Sequence, residues 1–426
     1  MKTIIKRTPA IRATKLRLDA ARIFDAGLLA IDTKVAVSTS LKRVGEKLKM
    51  GGMVYDLRSY DHVYVIAIGK AAYDASCALE KILGNRITDG IALDVKSGPL
   101  KRMKSIAGTH PLPSVANMRA TGEIMGLLKQ VDHNDLVIAV VSGGGSALLC
   151  WPYELKCGQL AELTDALMRA GATIQELNTV RKHLSEVQGG QLARLAHPAT
   201  VAGLIFSDVP GDDIGMIASG PTVLDQTTVK QAQAIVKKYQ MEDQCGLEGC
   251  EWRETPKDPQ FFSRVTNTLV VSNRVALVAM ENEAKRLGYK VRTYSQSLTG
   301  EAREVGALLA ALPRSGECVI AAGETTVAVK GTGLGGRNQE VAMGAMRVVE
   351  QGVLVASCAS DGVDHSPAAG AFADRNAFEK ASRKKNSLQK AMETNSSFEF
   401  CKRLGIQYIT GMTGANVSDL MLAMRE

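Results

Sequence analysis

Short, unbroken apolar runs recur along this sequence, and most are followed by small or polar residues and then by helical periodicity. The runs cover residues 63–68, 136–141, 201–206, 268–271, 319–322 and 353–356. A strand that is buried on both faces needs no polar alternation, so such runs are typical of parallel sheets covered by helices. Apolar residues at helical spacing over 13–31 predict an amphipathic helix before the first run. The pattern predicts an α/β fold.

The length of 426 residues exceeds what one hydrophobic core usually supports, which predicts two domains. Prolines, glycines and clustered charges interrupt the strand and helix alternation over residues 237–264. We therefore predict a Rossmann-like domain over 1–240 with a mainly parallel sheet, and a second α/β domain over 241–426. Each is expected to have three α/β/α layers, and residues from about 392 to 426 are expected to be able to pack back on the first domain.

The composition excludes several classes of protein. The net charge of +8 could indicate nucleic acid, but the basic stretches lack interleaved aromatic residues, which make up only 4% of the chain. Eight cysteines without a C-x-x-C pair indicate neither a zinc site nor a disulfide framework, and predict a reducing, cytoplasmic location. No run reaches the 18 apolar residues of a membrane span. We expect small anionic substrates, with no nucleic acid and no membrane.

The loops that directly follow the apolar runs are the first place to look for chemistry, because ligands of doubly wound sheets bind beyond the carboxyl ends of strands. Run 63–68 is followed by Gly69 and Lys70, whose ammonium can meet a phosphate or carboxylate. Run 136–141 is followed by Ser142, Gly143, Gly144, Gly145 and Ser146. Consecutive glycines before a helix let backbone N–H groups surround an anion. A solvated lysine and an empty tight turn are the alternatives.

Two further loops carry polar side chains. Asn178, Arg181 and Lys182 crowd one stretch ahead of a Gly-Gly turn and offer donors to an anion, unless they form an ordinary charged helix face. Asp208, Asp212 and Asp213 follow the run 201–206. Carboxylates there can hold Mg²⁺ or take a proton from a substrate hydroxyl. Ordinary turn chemistry explains the same residues equally well.

A glycine-rich segment over 331–336 formally satisfies G-x-G-x-x-G, the dinucleotide fingerprint. That fingerprint also needs an acid about 20 residues further on, at the end of the next strand. Glu350 falls before that strand and Asp361 comes late. Arg337 and Asn338, directly after the glycines, are better placed to stabilise a transferring phosphoryl group.

Taken in order, these segments resemble the class II glycerate kinases, whose C-terminal half is called the MOFRL domain. The resemblance runs from about residue 16 to the end and rests on GKAA (69–72), GTHP (108–111), SGGGSA (142–147), NTVRKHLS (178–185), SDVPGDD (207–213), IASGPT (217–222), GETT (323–326), GTGLGGRNQE (331–340), DGVD (361–364), TG (413–414) and NV (416–417). It implies ATP- and Mg²⁺-dependent phosphorylation of D-glycerate to 2-phosphoglycerate. It also implies an active site in the cleft between two α/β domains.

The resemblance assigns roles to individual residues. It implies that Lys70 is the active-site lysine, that Arg337 stabilises the transition state, and that one of Asp208 and Asp212 is the catalytic acid. Of the two aspartates we favour Asp212. Substrate or phosphate binding is expected of Ser142, Gly143, Gly144, Gly145, Ser146, Asn178, Arg181, Lys182, Glu324, Thr325, Gly335, Gly336, Asn338, Asp361 and Asn416. Asp208, Asp212 and Asp213 are the expected metal ligands, and a homodimer is the expected form of any assembly.

Several positions depart from the family pattern and leave the acceptor open. Gln188 and Gln191 stand where Lys and Arg are common, His365 begins a segment that lacks the usual Gly, and Ala415 replaces Thr. A longer sugar acid, or the 3-hydroxyl instead of the 2-hydroxyl, remains an alternative acceptor. Two other functions also stay open, an NAD(P)H-dependent hydroxypyruvate reductase and a non-catalytic protein that binds a sugar acid or nucleotide.

Overall fold

The computed structural model of the chain describes residues 3–155, 157–209, 211–241, 251–383 and 387–426. The chain divides into two compact units, Ala36–Val270 and a second unit made of Met1–Val35 together with Val271–Glu426. Each unit is an α/β structure built on a six-stranded sheet of described residues. The predicted fold class is therefore confirmed.

The helices up to the end of the first unit are α1 (Pro9–Arg12), α2 (Lys15–Ala30), α3 (Thr33–Ser40), α4 (Ala72–Leu83), α5 (Val115–Leu128), α6 (Gly145–Leu148), α7 (Cys157–Arg169), α8 (Ile174–His183), α9 (Gln191–Ala196) and α10 (Val229–Lys238). The strands of the same part are β1 (Leu41–Val44), β2 (Lys47–Met50), β3 (Met53–Asp56), β4 (Val63–Ile68), β5 (Asp89–Asp94), β6 (Lys104–Ala107), β7 (Leu136–Val141), β8 (Thr200–Phe206) and β9 (Val265–Val271).

The remaining helices are α11 (Asn273–Arg286), α12 (Ala302–Ala310), α13 (Arg337–Met346), α14 (Arg375–Arg383), α15 (Leu388–Glu393) and α16 (Ser397–Leu404). The remaining strands are β10 (Lys290–Leu298), β11 (Glu317–Gly323), β12 (Val353–Ala359), β13 (Gly370–Asp374), β14 (Gln407–Tyr408) and β15 (Asp419–Arg425). All six apolar runs of the sequence lie in strands, and the predicted first amphipathic helix is α2.

The sheet of the unit Ala36–Val270 has the order β6-β5-β4-β7-β8-β9, and the pairs from β6 to β8 are parallel. Every residue of β4 and β7 is buried, because helices cover the sheet. Its core joins Ile66, Leu93, Ile124, Val137 and Leu192 from three strands and two helices. The loops after β4 and β7 consequently leave the same edge of the sheet from neighbouring strands.

The sheet of the second unit has the order β10-β11-β15-β12-β13-β14 and is mixed. Only β10 and β11 are paired parallel among its described pairs, and β15 is antiparallel to both of its neighbours. The strands at 319–322 and 353–356 thus run in the same direction, as expected, but they are not paired with each other. The final strand separates them, and its first residue, Asp419, pairs with the last residues of β11 and β12, Gly323 and Ala359.

The division into units differs from the predicted boundary at residue 240. Strand β9 lies beyond that boundary but completes the first sheet beside β8, and the Val201 N–H donates to the Arg264 carbonyl at 2.9 Å. Residues 242–250 of the predicted junction lie outside the described residues. Of the predicted C-terminal segment 392–426, residues 419–425 form β15, an inner strand of the second sheet between β11 and β12.

The first 35 residues belong to the second unit, which the sequence analysis did not anticipate. Helix α2 packs against α11, where a Cβ on Gly27 would come within 2.8 Å of the Met280 side chain. The Arg17 guanidinium binds Asp374 through Nε at 2.6 Å, with both side chains buried. A buried arginine needs such a carboxylate partner, so this pair fixes α2 on the unit.

Two smaller expectations concern the membrane and the cysteines. In the ranges given above, no helix is long and apolar enough to cross a membrane. Cys150 is disulfide-bonded, contrary to the expectation of reduced cysteines, whereas Cys77, Cys318, Cys358 and Cys401 are free. Cys245 and Cys250 lie outside the described residues.

Candidate active site

Lys70 directly follows β4 and the glycine at its end. Gly69 has a φ of +107°, and a Cβ there would lie 2.2 Å from Ser142 Oγ, so the close approach of the two loops requires glycine. The Lys70 N–H donates to the Gly143 carbonyl at 3.0 Å, and the Ala71 N–H donates to Ser142 Oγ at 3.1 Å. The loop after β4 is thereby fastened to the loop after β7.

The Lys70 side chain lies over the glycine turn, by which we mean residues 142–146. It is exposed, and its Cε would be 3.1 Å from a Cβ placed on Gly144. Lys70 forms no ion pair with any residue of the described ranges. The imidazole of His110 approaches the same glycine, and its pKa is lowered by burial and then by the Lys70 charge. An uncompensated positive charge therefore stands beside the turn.

The glycine turn itself presents backbone donors. Gly144 has a φ of +79° and precedes the single turn of α6. Within the part of the chain that the structure describes, the N–H groups of Gly143 and Gly144 donate no hydrogen bond to protein. Unpaired amides of successive residues form a concavity that suits an anion. The structure therefore brings Lys70 and the glycine turn together, two features that the sequence singled out separately.

The acidic loop after β8 contributes one carboxylate to this turn. Asp208 Oδ2 would lie 2.0 Å from a Cβ on Gly143, so the carboxylate touches the glycine. Asp212 has a left-handed φ of +56°, and Asp213 Oδ1 accepts the N–H of Gly215 at 2.9 Å. Among the described residues, no three Asp, Glu, His or Cys side chains are grouped to hold a metal ion. The three aspartates predicted as metal ligands are therefore not gathered into one such group.

Asn178 is connected to the turn through two serines. Ser146 Oγ lies 3.0 Å from Ser219 Oγ, which donates to Asn178 Oδ1 at 2.9 Å. Gln188 Nε2 donates to the carbonyls of Ser146 and Leu149 at 2.9 and 3.1 Å. Gln188, one of the departures from the family pattern, thus supports the turn from behind with an amide in place of a charge.

Arg181 and Lys182 have different surroundings although they are adjacent on α8. Lys182 is buried, with Nζ 3.0 Å from Asp225 Oδ1. Burial opposes ionisation of Asp225, but hydrogen bonds and charge from Thr227 and Lys182 lower its pKa overall. Lys182 is therefore committed to a structural ion pair, unlike the predicted anion ligand. Arg181 donates from Nε to Thr164 Oγ1 at 3.3 Å and has no carboxylate partner among the described residues.

A cavity of about 700 Å³ opens next to the glycine turn, within the unit Ala36–Val270. Gly144, Ser146 and Arg181 line it together with the 110–113 segment and one face of α7. Burial lowers the pKa of Arg181, and its guanidinium pairs with no acidic side chain of the described residues. The cavity is therefore continuous with the site of Lys70 and carries a second cation.

Arg337 begins α13 in the second unit and is already bound by acids. Its Nε lies 2.5 Å from Asp419 Oδ2, and Nη2 lies 3.3 Å from Glu324 Oε1. Asp419 is buried, and this burial raises the pKa of its carboxyl to about 6 in spite of the arginine. The guanidinium is thus held in place by one buried and one exposed carboxylate.

Asn338 is committed to the structure around the first turn of α13. Asp364 Oδ1 accepts both the N–H and the Nδ2 of Asn338 at 3.1 Å, and Oδ2 accepts the Gln339 N–H at 2.9 Å. Ser357 Oγ donates to Asn338 Oδ1 at 2.5 Å. Burial raises the pKa of Asp364. A carboxylate from residue 364 therefore occupies the helix N-terminus where a phosphate was expected.

The glycines of the segment 331–336 are explained by packing. A Cβ would come between 1.8 and 2.3 Å from Thr394 at Gly331, Ser396 at Gly333, Ser397 at Gly335 and Asp364 at Gly336. The segment also bonds to the same neighbour, since the Gly333 N–H donates to the Thr394 carbonyl at 2.9 Å. Gly335 and Gly336 are accordingly required by close contact within the chain, and the formal dinucleotide fingerprint has this structural cause.

A smaller cavity of about 280 Å³ lies at the edge where β12 ends and β15 begins. Arg337, Asp361, His365, Asn416 and Asp419 all line it. Four of these were singled out in the sequence as site residues or as departures from the family pattern. The structure therefore brings Asp361 and Asn416 to Arg337, as predicted for a common site.

Glu324 and Thr325 follow β11 at the same edge of that sheet. Glu324 is exposed and contacts Arg337, as described above. Thr325 is buried, and its Oγ1 has no hydrogen-bond partner within the described ranges. The Thr325 hydroxyl is thus a buried polar group without a protein partner among the described residues, next in sequence to the Glu324 that binds Arg337.

Asp419 and Ser219 are site residues that sequence reasoning missed. In a parallel sheet the loops after apolar runs carry the ligand contacts, but Asp419 precedes an apolar run, at the start of β15. Because β15 is antiparallel to its neighbours, its beginning meets their ends. The sequence signal that could have identified Asp419 is an acid directly before the last apolar run. That signal points to the site only if the last strand is antiparallel to its neighbours.

Comparisons with known proteins cover both units. Residues 19–248 match the family described as domain of unknown function DUF4147, and residues 317–419 match the MOFRL family. The chain is 35% identical to a glycerate 2-kinase of Pyrococcus horikoshii over 97% of this chain and 98% of the relative. It is 34% identical to a D-glycerate 2-kinase of Thermotoga maritima over 85% of this chain and 91% of the relative.

Two further similarities bear on function. A relative from Agrobacterium vitis, 31% identical over 94% of this chain and 92% of its own length, carries the name of a hydroxypyruvate reductase. Among solved structures, the crystal structure of a Thermotoga maritima glycerate kinase has a TM-score of 0.88 at 32% identity, covering 96% of this chain and 99% of that chain.

Proposed function

Because this chain belongs to the glycerate kinase family that joins a DUF4147 region to a MOFRL domain, we propose that it transfers the γ-phosphoryl group of ATP to the 2-hydroxyl of D-glycerate. The observation that carries the proposal is the Lys70 ammonium over the glycine turn, with no ion pair to Lys70 and no acceptor for the Gly143 and Gly144 N–H groups among the described residues. Phosphoryl transfer needs positioning and charge neutralisation more than covalent chemistry. This turn supplies both to a phosphate group.

Asp208 and Asp212 are proposed to have different roles in the reaction. Asp208 touches the glycine turn, so its carboxylate is the candidate for contact with Mg²⁺ that enters with ATP as part of the substrate. Mg²⁺ is usually bound by one or two carboxylates plus phosphates and keeps several waters, so a three-carboxylate site is not required. Asp212, held in a left-handed turn further along the loop, is the candidate to accept the proton of the acceptor hydroxyl.

Arg337 is proposed to stabilise the charge that grows on the phosphoryl group during transfer. Asp419 and Glu324 already fix its guanidinium, so little reorganisation is needed when the charge develops. Asp361 and Asn416 line the cavity beside it and are proposed to bind the same substrate. Thr325 is a further candidate, because its hydroxyl is buried without a partner in the described ranges.

The competing function is NAD(P)H-dependent reduction of hydroxypyruvate. The formal G-x-G-x-x-G over 331–336 and the name of one relative favour it. The packing of those glycines against residues 394–397 and Asp364 opposes it, because a dinucleotide fingerprint needs its backbone open to a pyrophosphate. Kinase chemistry needs no such opening at this segment.

The test is a direct assay of the purified chain. We expect ADP release from ATP and D-glycerate that stops when EDTA removes divalent cations, and ³¹P NMR should identify 2-phosphoglycerate as the product. Formation of 3-phosphoglycerate would move the acceptor to the other hydroxyl. NADH oxidation by hydroxypyruvate without any ADP release would establish the reductase instead, and ATP or glycerate binding without turnover would indicate a binding protein.

Three further properties belong to this proposal. We propose a cytoplasmic enzyme that acts on small molecules and not on nucleic acid, and a homodimer in solution. Light scattering measures the oligomeric state, and a mass corresponding to one 45.5 kDa chain would exclude the dimer. A gel-shift titration with DNA and RNA at physiological salt tests whether the net charge of +8 leads to nucleic-acid binding.

A further inference from the structure

The larger cavity is too spacious for the proposed acceptor alone. Its volume of about 700 Å³ is in the range of sites for drug-sized ligands. D-Glycerate is a three-carbon acid and would leave most of that space to water. A second, larger ligand is therefore the better match in size.

The cavity walls favour a flat apolar group. Leu112 and Met168 are large apolar side chains that line it and are 59% and 50% exposed. Pro111, Pro113 and Ala161 add further apolar surface. Methionine and proline side chains pack well against aromatic rings, and methionine adapts to ring edges through its thioether. A planar base that covers these exposed apolar side chains would remove their surface from water.

Polar and charged groups stand around this apolar surface. Arg181 lines the cavity without a carboxylate partner in the described ranges, held only by Thr164 Oγ1. At the rim, Asp165 pairs with Arg169 at 2.8 Å, and Glu162 is exposed. Arg181 is therefore the cation of this cavity whose charge remains available to an anionic ligand. Gly144 and Ser146 line the cavity too and connect it to the turn under Lys70.

We propose that this cavity binds the nucleotide, with the purine base against Leu112 and Met168 and with Arg181 on the phosphate chain. The proposal rests on the proposed function in that ATP is the phosphoryl donor. A base in the cavity and phosphates toward Gly144 would deliver the terminal phosphate to Lys70. Because the apolar surface lies on one side of the glycine turn, ATP would lie with its base on that side and its phosphates at the turn.

The test separates the base from the phosphates by using two probes. Isothermal titration measures the affinity of the full chain for ATP and, in parallel, for inorganic tripolyphosphate, which has the phosphates without the base. Met168→Asp puts a charge on the apolar wall, and Arg181→Met removes the cation but keeps the length of the side chain. Val278→Asp on α11 is the matched control, because Val278 is 51% exposed and lines no part of the cavity.

We expect Met168→Asp to weaken ATP binding by about tenfold and to leave tripolyphosphate unchanged, since only the base meets the wall. Arg181→Met should weaken both probes by about tenfold, and Val278→Asp neither. Circular dichroism confirms that each variant folds. If Met168→Asp does not fold, Leu112→Asp on the 110–113 segment replaces it.

Two results would overturn the proposal. One is unchanged ATP affinity in both cavity variants, and the other is an increased KM for glycerate with unchanged ATP affinity, which would make the cavity the acceptor site. Failure of the proposed function would give a different result. The protein would bind ATP with the expected pattern among the variants but would not phosphorylate glycerate. The nucleotide site would then stand, and only the identity of the acceptor would be wrong.

Discussion

Two glycine-rich segments of this protein look alike in sequence and differ in structure. Residues 142–146 and 331–336 each follow a buried strand, precede a helix and lie beside a cation. In the first, two glycine N–H groups have no acceptor in the described ranges, and Lys70 is unpaired. In the second, the glycines pack against residues 394–397 and Asp364, and Arg337 is held by two acids.

The difference shows that glycines serve two physical purposes. The first segment keeps its backbone donors and its cation available, which is what a phosphate group requires. The second uses glycine to let two stretches of the same chain come together, and it fixes the arginine by ion pairs. The first is therefore organised to bind an anion, and the second to hold one side chain still.

Lys70→Met should have the largest effect on the first segment. Loss of the ammonium removes the unpaired charge beside the turn, and we expect kcat to fall by about 10³-fold or more. The melting temperature should not change, because Lys70 is exposed and has no ion-pair partner among the described residues. Lys49→Met is the control, since Lys49 is an exposed lysine on β2. Equal activity of the two variants would show that the turn does not act on phosphate.

Substitutions in the acidic loop after β8 distinguish the roles of Asp208 and Asp212 beside the glycine turn. Asp212→Asn should lower kcat by about 10²- to 10³-fold, as expected for a general base. Asp208→Asn should mainly increase the Mg²⁺ concentration needed for half-maximal rate, because that carboxylate touches the glycine turn. A larger loss of kcat in Asp208→Asn than in Asp212→Asn would exchange the two roles.

Arg337→Lys probes the cation of the second segment. Lysine keeps the charge but loses the planar fork that binds Asp419, so we expect kcat to fall by roughly 10²-fold while the KM for ATP changes little. The melting temperature should also fall, because the buried Asp419 carboxylate loses part of its pairing. An unchanged kcat with an increased KM would make Arg337 a binding residue only.

A pair of alanine substitutions tests the comparison itself. Gly335→Ala should destabilise the fold by about 3 kcal/mol, because its φ is +150° and a Cβ would meet Ser397 Oγ at 1.8 Å. Gly143→Ala displaces only the flexible end of Asp208, so the loss should appear in the Mg²⁺ requirement instead. Urea unfolding and Mg²⁺ titration of both variants measure the two effects. Equal losses of stability would mean that both segments are structural.

The smallest expected effect concerns pH. Burial raises the pKa of Asp419 to about 6, above its ordinary value of 3.8, so the folded state holds a proton that the unfolded chain releases between these values. The contribution of this group to stability therefore falls as pH rises through that interval. Activity should rise with pH near 6, because the ionised Asp419 carboxylate fixes Arg337. In Asp419→Asn this rise of activity with pH should disappear. If the rise persists in Asp419→Asn, another group causes it.

The sequence predicted what depends on local pattern. Strands β4 and β7 have the predicted bounds, because a fully buried strand is marked by its apolar run, and the adjacency of Lys70 and Ser142 follows from neighbouring parallel strands. The position of β15 between β11 and β12 could not be predicted, since it depends on pairing between residues about 60 to 100 positions apart. The purpose of Gly335 was hidden for the same reason, because its neighbour Ser397 is distant in sequence.

The composition of the second unit has a consequence for how the protein is made. Its helix α2 is synthesised before the whole unit Ala36–Val270, yet its partner α11 comes after, and the central strand β15 is formed from residues 419–425. The ribosome therefore synthesises the unit Ala36–Val270 between two pieces of the second unit that must wait for each other. We expect residues 36–270 to become protease-resistant during translation, whereas the apolar face of α2 stays exposed until β15 emerges. We accordingly expect chaperones that bind nascent chains to contact this protein at α2.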